Sequence, residues 1–395
     1  MSSDSPQEIG RRIAACRRAH RYTQTALATA SHVSYAMVRA IERGARRPSD
    51  EVLEAIADAL DVDVTRLSTD HVAGTERRVH RALPALSEAI AGYDLALGPP
   101  SRGPEELADG ISTAVGWRLA AQYGRIATVI PGLLTDAIRY VHTAPGAEHQ
   151  GAARMLASAA RTADAVAYKH GAHDLSARLI DLMRWAADRA ADPLVQATAS
   201  YVRAETFFAA RAHAAGLVAL EQAIEAAPAP DGRTQAAARG ALHMRAAVIA
   251  SRAQNVGATD THLAHARQLS KQVGQEGCYL GTAFGPESVR IHEVSVAVSL
   301  GPGDADRALR AAAAWTPGID LPAERRSGFY IELARAQDWA GRPVEAFTSL
   351  RMARAAAPQH TREHPWAREV ARNLRRFHRS DAESLTHFAH WVGAV

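Results

Sequence analysis

Apolar residues recur at helical spacing along almost the whole chain, and alternating runs of β-branched residues are nearly absent. That pattern leaves little room for a sheet and predicts an all-α protein. Proline and glycine punctuate it at regular intervals: Gly98-Pro99-Pro100, Pro131-Gly132, Pro145-Gly146, Asp192-Pro193, Pro228-Ala229-Pro230, Gly285-Pro286, Gly301-Pro302-Gly303 and Pro317-Gly318. The pieces between are about the length of a two-helix hairpin. At 395 residues the chain is long enough for two or three domains. A 47% apolar and 22% charged composition excludes wholesale disorder. Two cysteines, Cys16 and Cys278, exclude a disulfide scaffold and a four-cysteine zinc site. No apolar run is long enough to span a bilayer, and the amino terminus lacks a basic-then-apolar leader. The chain therefore reads as cytoplasmic, with no membrane partner.

The formal charge is +4, but its placement matters more. Arg11, Arg12, Arg17, Arg18, Arg21, Arg39, Arg43, Arg46 and Arg47 crowd the first fifty residues, with Glu42 among them. The sign then reverses through Asp50, Glu51, Glu54, Asp58, Asp61 and Asp63. A unit with one basic and one acidic region is drawn to a polyanion by its basic end. Arginine dominates throughout the chain, so only the clustering is informative about function.

Residues Ile9–Leu67 read as five helices. Ile13 and Cys16 share the inward face of the first. Thr23 caps the second, which ends at Ala30 with Leu27 inward, and Ser34 caps a third that Gly44 stops. Ser49 starts a fourth with Val52, Leu53, Ile56 and Leu60 inward, and Asp63 opens a last turn ending at Leu67. Two short helices joined by a tight turn are the geometry in which one helix crosses a phosphate backbone and the next enters a major groove. The boundary of this domain is placed near residue 70. A linker and connecting helix follow over 71–104.

The strings Thr23-Gln24-x-x-Leu27-Ala28, Val33-Ser34, Ile41-Glu42-Arg43-Gly44, Arg47-Pro48-Ser49 and Ala57-x-x-Leu60-x-Val62 resemble the Cro/repressor-type (XRE) helix-turn-helix domain. The resemblance implies binding to double-stranded DNA, with Gln24 on a phosphate. It places Ser34, Tyr35, Ala36, Arg39 and Ala40 towards bases, and Arg43, Arg46 and Arg47 along phosphates. Tyr35 serves equally as a base contact or as a half-buried staple. The resemblance also pairs Arg17 with Glu42. Where the family usually has glycine in the turn, this chain has Ser31-His32.

From residue 105 to 395 the hairpin punctuation dominates. Tyr330, Leu333-Ala334, Gln337, Ala346, Leu350, Ala353 and Pro358 follow tetratricopeptide-repeat spacing, and Phe207, Gly216, Leu220, Ala223 and Pro228 repeat its later part. About six hairpins are expected, with weaker registers near 113–142, 152–190, 231–273 and 286–316, stacked as an α-solenoid. With the first module, the strings Phe284-Gly285-Pro286-x-x-Val289-x-x-His292, Leu321-Pro322-x-x-Arg325-Arg326 and His364-Pro365 resemble large regulators of high-GC Gram-positive bacteria. That resemblance implies a repeat domain that dimerises and senses a small-molecule or peptide effector.

The repeat registers put Tyr201, Glu205 and Phe208, and Ile331, Arg335 and Asp338 with Trp339 beside them, on the inner groove; His292 is added to them as a ligand-binding candidate. Such a groove suits a peptide or mixed-polarity small molecule. The alternative for each residue alone is seam packing or solvated charge. Gly274–Pro286 is either an ordered loop over a groove or a simple connector. Its Cys278 is a candidate exposed thiol, whereas Cys16 reads as a small core residue. His262/His265 and His387/His390 have i, i+3 spacing but no clear third ligand, so they read as solvated surface rather than a metal site. No glycine-rich phosphate loop or hydrolase motif is present, so no cofactor and no catalysis are expected. The sequence predicts a homodimeric, ligand-responsive regulator on an inverted repeat. A protein-interaction adaptor is the alternative.

Overall fold

The computed structural model describes residues 4–60, 62, 64, 67–68, 70–377 and 382–394. It is all-α apart from one two-stranded hairpin among the described residues. The chain divides into two compact units, residues 1–80 and 81–395.

In the first unit, α1 (Pro6–Ala19), α2 (Gln24–Ala30), α3 (Tyr35–Glu42) and α4 (Asp50–Ala59) surround one core. Ile9, Ile13, Leu27, Val38, Ile41, Leu53, Ile56, Leu60 and Leu67 fill it. Cys16 and Val52, expected inside, pack at its half-buried edge. Local chemistry sets each start. Ser5 and Glu8 form a capping box on α1, Thr23 accepts from Ala26 N–H, and Ser34 accepts from Met37 N–H. His32 takes the left-handed turn position at φ +53, where the resembled family carries glycine. A single polar residue tolerates that conformation at modest cost. Asp4, nearly buried, ties the unit together: Arg12 and Ser68 Oγ donate to its carboxylate, and Arg47 donates to its carbonyl. Asp61 and Asp63 of the expected acidic stretch lie outside the described residues, as do the side chains of Asp50, Glu51, Glu54 and Asp58. Helix α5 (Asp70–Ala89) follows, and the division into units falls within it.

The second unit is a stack of hairpins. These are α6 (Pro104–Leu119) with α7 (Tyr123–Thr143), α8 (His149–Lys169) with α9 (His173–Ala190), and α10 (Pro193–Ala209) with α11 (His213–Ala226). Then come α12 (Arg233–Arg252) with α13 (Val256–Val273), α14 (Pro286–Leu300) with α15 (Ala305–Ala312), and α16 (Ala323–Trp339) with α17 (Pro343–Ala356). Helices α18 (Pro358–Glu363), α19 (Pro365–Phe377) and α20 (Ala382–Val392) close the stack. Each first helix packs on the first helix of the next hairpin from α6 to α16, and α16 packs on α19. The repeat-like pattern is borne out: Ala334, Ala346, Leu350 and Ala353 are buried in the α16–α17 seam. Pro131 does not break the chain as its punctuation implied, but sits inside α7. No described helix is long and apolar enough to cross a membrane.

Between α13 and α14 the chain forms β1 (Gly277–Tyr279) and β2 (Thr282–Phe284), paired antiparallel. Leu280 (φ +48) and Gly281 (φ +72) make a two-residue turn whose handedness matches strand twist. Phe284 is fully buried against α12, where Gly240 leaves room for its ring. A Cβ at Gly240 would lie 2.0 Å from Phe284 Cζ. Gly240→Ala is therefore expected to cost about 1–3 kcal/mol by overpacking. Urea denaturation followed by circular dichroism checks this, with a lowered midpoint as the expected outcome.

Candidate nucleic-acid interface and repeat-domain groove

Helix α3 is amphipathic in a way that fixes what it can show to solvent. Val38 and Ile41 point into the core, while Ser34, Tyr35, Ala36, Arg39 and Arg43 are exposed. Ala40 is half-buried, and Tyr35 is 47% exposed. A partly buried ion pair ties α3 to α1. Arg17 of α1 donates Nε to Glu42 Oε1 at 2.6 Å and Nη2 to Glu42 Oε2 at 3.0 Å, a fork-to-fork pair. Its Nη1 also donates to the Tyr22 carbonyl. Hydrogen bonding to Glu42 outweighs burial and raises the Arg17 pKa. The pairing of Arg17 with Glu42 that the resemblance implies is thus present.

Gln24 joins the same pair, donating Nε2 to Glu42 Oε2 at 2.6 Å. An amide nitrogen has two hydrogens, so one remains for a phosphate. Ser34 spends its hydroxyl oxygen as the α3 cap. Arg43 is exposed and donates Nε to the Arg39 carbonyl, and Arg46 is exposed. Arg47 is anchored on the Asp4 carbonyl, a tie the sequence did not reveal.

In the second unit the first helices of successive hairpins carry an unusual inner file. Arg245 lies 4.1 Å over the Tyr201 ring and 5.7 Å over Phe208, with Glu205 3.8 Å from its Nη2. Arg252 lies 4.4 Å over Phe208, and Arg335 lies over Trp339 and Trp366. Guanidinium on an aromatic face is attractive, and more so when water is excluded. Tyr201, Glu205, Phe208, Arg335 and Trp339 therefore sit among cation–aromatic contacts. Asp338 accepts instead from Asn373 Nδ2. Ile331 is fully buried in the seam core, so the expectation that it lines the groove is corrected. Its aliphatic side chain gains more by packing against Leu350 and its neighbours than by facing solvent.

His292 belongs to a relay. Its Nδ1 lies 2.8 Å from the Ser288 carbonyl, which assigns the proton to Nδ1. Its Nε2 then accepts from Arg325 Nη1 at 3.0 Å, while Arg325 Nη2 donates to Tyr201 Oη at 2.6 Å. Burial, then Arg325, hold the ring well below the usual histidine range. Lys169 pairs with Glu324 at 2.6 Å, and Tyr123 Oη donates to the same carboxylate. Burial would raise Glu324, but Lys169 beside it holds it far below the usual carboxylate range.

The sequence missed Arg118, Arg161, Lys169, Arg245, Arg252, Arg325 and Trp366. A signal was available: Arg161/Tyr168, Tyr201/Phe208, Arg245/Arg252 and Arg325/Glu332 are each seven apart, two turns along one helix face. The stretch Gly274–Pro286 is an ordered hairpin rather than a plain connector, since Arg161 and Arg118 hold its tip. His262 is not solvated surface as expected. It is buried, with Nδ1 3.0 Å from His243 Nδ1, because α12 and α13 press together there. The side chain of His387 lies outside the described residues. Cys278 is exposed.

Glu332 is raised to about 7 by burial, against the lowering influence of Ser295, Arg252, Arg325 and Arg335. Its folded form therefore keeps a proton that the unfolded chain has released. Stability from this group is full below about pH 4.5 and is lost as pH rises through about 7. Glu332→Gln is expected to abolish that loss. The check is the difference in urea midpoint between the two proteins at pH 5 and pH 8, with the variant gaining relative to wild type at pH 8.

No curated protein matches the chain with significance. Among solved structures, Bacillus thuringiensis PlcR in complex with the peptide PapR7 and DNA is similar at 13% identity, over 68% of this chain and 96% of that one. Its TM-score is 0.29, too loose a superposition to carry structural inference. The helix-turn-helix family profile matches residues 13–67. Together with the capped α2–turn–α3 geometry and the Arg17–Glu42 pair, that match identifies residues 13–67 as a helix-turn-helix domain of the Cro/repressor (XRE) type.

Proposed function

We propose that the protein is a transcription regulator that reads DNA through α3 and responds to a ligand held by its helical-repeat unit. The observation that carries the first half is the exposed row of Tyr35, Ala36, Arg39 and Arg43 on a helix locked by Arg17, Glu42 and Gln24. A locked helix presents its side chains to base edges without an ordering cost. In this reading Tyr35, Ala36 and Arg39 face bases, with Ser34 and Ala40 at the margin. The free N–H of Gln24 and the guanidinium groups of Arg43 and Arg46 take phosphates. Arg47 braces the loop through Asp4 and adds charge beside the duplex. A single such helix reads few base pairs, so two copies on an inverted repeat, with half-sites about 34–36 Å apart or a multiple of that, supply the specificity.

The second half is supported by the inner file of the repeat unit, where cations and aromatic rings face one another. A ligand alters DNA affinity only if it favours one arrangement of the protein over another.

Footprinting on the DNA upstream of the protein's own reading frame tests the reading, and a protected inverted repeat is the expected result. Arg43→Ala and Arg46→Ala should weaken binding to every sequence, each reducing the salt slope by about one. Arg39→Ala should instead relax discrimination at one position by about 1–3 kcal/mol. Uniform protection without sequence preference would favour an adaptor whose repeats bind a partner protein.

A further inference from the structure

Two buried guanidinium groups from different hairpins close on adjacent residues of the β1–β2 turn. Arg118 of α6 donates Nη2 to the Gly281 carbonyl at 3.0 Å. Arg161 of α8 donates Nη1 to the Leu280 carbonyl and Nη2 to Thr282 Oγ1, both at 2.8 Å. Each arginine is only 9% exposed. A Cβ built on Gly281 would lie 2.6 Å from Arg118 Nη2 and 3.4 Å from Arg161 Nη1, so both cations crowd the same side of the turn.

The acceptors of these bonds are all neutral. Nearby acids are committed elsewhere: Glu324 to Lys169 and Glu205 to Arg245. Asp164, with Ser176 on its carboxylate, is raised well above the usual range by burial and by Glu205. Arg118 Nε is buried and meets no acceptor. Arg17, by contrast, has Glu42 as its counter-ion. Two buried cations whose hydrogen bonds end on carbonyls and one hydroxyl are under-compensated. The like charge of Arg118, after burial itself, pulls Arg161 down to about 9.

We propose that Arg118 and Arg161 form the binding site for an oxyanion, the carboxylate or phosphate of an effector, and that the tip of the β1–β2 hairpin stands in for it when the effector is absent. The inference rests on the sensor reading above and names the chemistry of its ligand. The bidentate donor fork of arginine matches either group. Beside the tip, Thr198, Tyr201, Tyr279 and Thr282 line a small cavity together with alanines of α10 and α12. Arg161 also lies 6.0 Å from the Tyr201 ring, which connects the site to the Arg325–His292 relay. An entering oxyanion takes over the N–H groups now held by Leu280 and Gly281 and releases the tip. The base of the hairpin stays fixed by Phe284 and by Glu276, which accepts from Ser288.

The test uses the full-length protein with sodium phosphate and sodium succinate as probes, each against sodium chloride at matched ionic strength. Thermal midpoint and amide hydrogen exchange over Gly277–Phe284 are read together. At least one probe is expected to raise the midpoint saturably and to speed exchange at Leu280 and Gly281 about tenfold. Which probe does so separates a phosphate ligand from a carboxylate one. Arg161→Gln and Arg118→Gln should each weaken the midpoint response about tenfold, and Arg161→Lys serves where a Gln variant loses its circular dichroism. The site is overturned if neither probe acts beyond chloride, if folded variants respond like wild type, or if tip exchange does not change. Operator affinity measured with the same probe separates the two readings. Probe binding that leaves DNA affinity unchanged overturns the sensor and spares the site. Failure of probe binding overturns the site and leaves DNA reading intact.

Discussion

Burying a guanidinium is the constraint around which the second unit is arranged. A charge taken from water needs acceptors or aromatic faces, and the first helices supply both in register. Tyr201 is the hub: it carries Arg245 on its ring, accepts from Arg325 and lies near Arg161. Burial alone would raise its phenol, yet the surrounding arginines lower it. Each hairpin is then held to its neighbours by polar ties as well as by seam packing, which fixes its rotation about the stack.

The helix-turn-helix unit was legible because its instructions are local. Thr23, Ser34 and Ser49 each reach a backbone N–H three residues on, and such caps can be read from sequence spacing alone. The Arg17–Glu42 pair spans 25 residues and was implied only by the family resemblance. The ties to Asp4 from Ser68 and Arg47 span 64 and 43 residues, and nothing in the local pattern signals them.

The repeat unit was legible in its seams and not in its turns. Proline marks the start of many first helices, as Pro193 and Pro286 do, so the hairpins could be counted. Inside the hairpins the positive-φ turn position is held by Ala121, Arg211 and Gln254 as well as by Gly171, Gly301 and Gly341. A turn tolerated by ordinary residues leaves no compositional mark. The groove was half-legible for a related reason. Tyr201, Glu205 and Phe208 were placed from repeat register, but the arginines facing them come from α8, α12 and α16. Their convergence depends on how far one hairpin rotates against the next, which a single helix does not encode. Ile331 was misplaced on the same account, since the boundary between seam and groove shifts with that rotation.

The grip on the β1–β2 tip is made mainly through main-chain oxygens, with Thr282 alone contributing a side chain. Every amino acid carries that carbonyl, so position 280 is free to vary in size and polarity without loosening the latch. What the latch does demand is a bend of one hand, and Gly281 is where that demand is written. Related chains could therefore diverge widely in the letters of this loop while conserving its shape, and a comparison by sequence alone would overlook the part that matters.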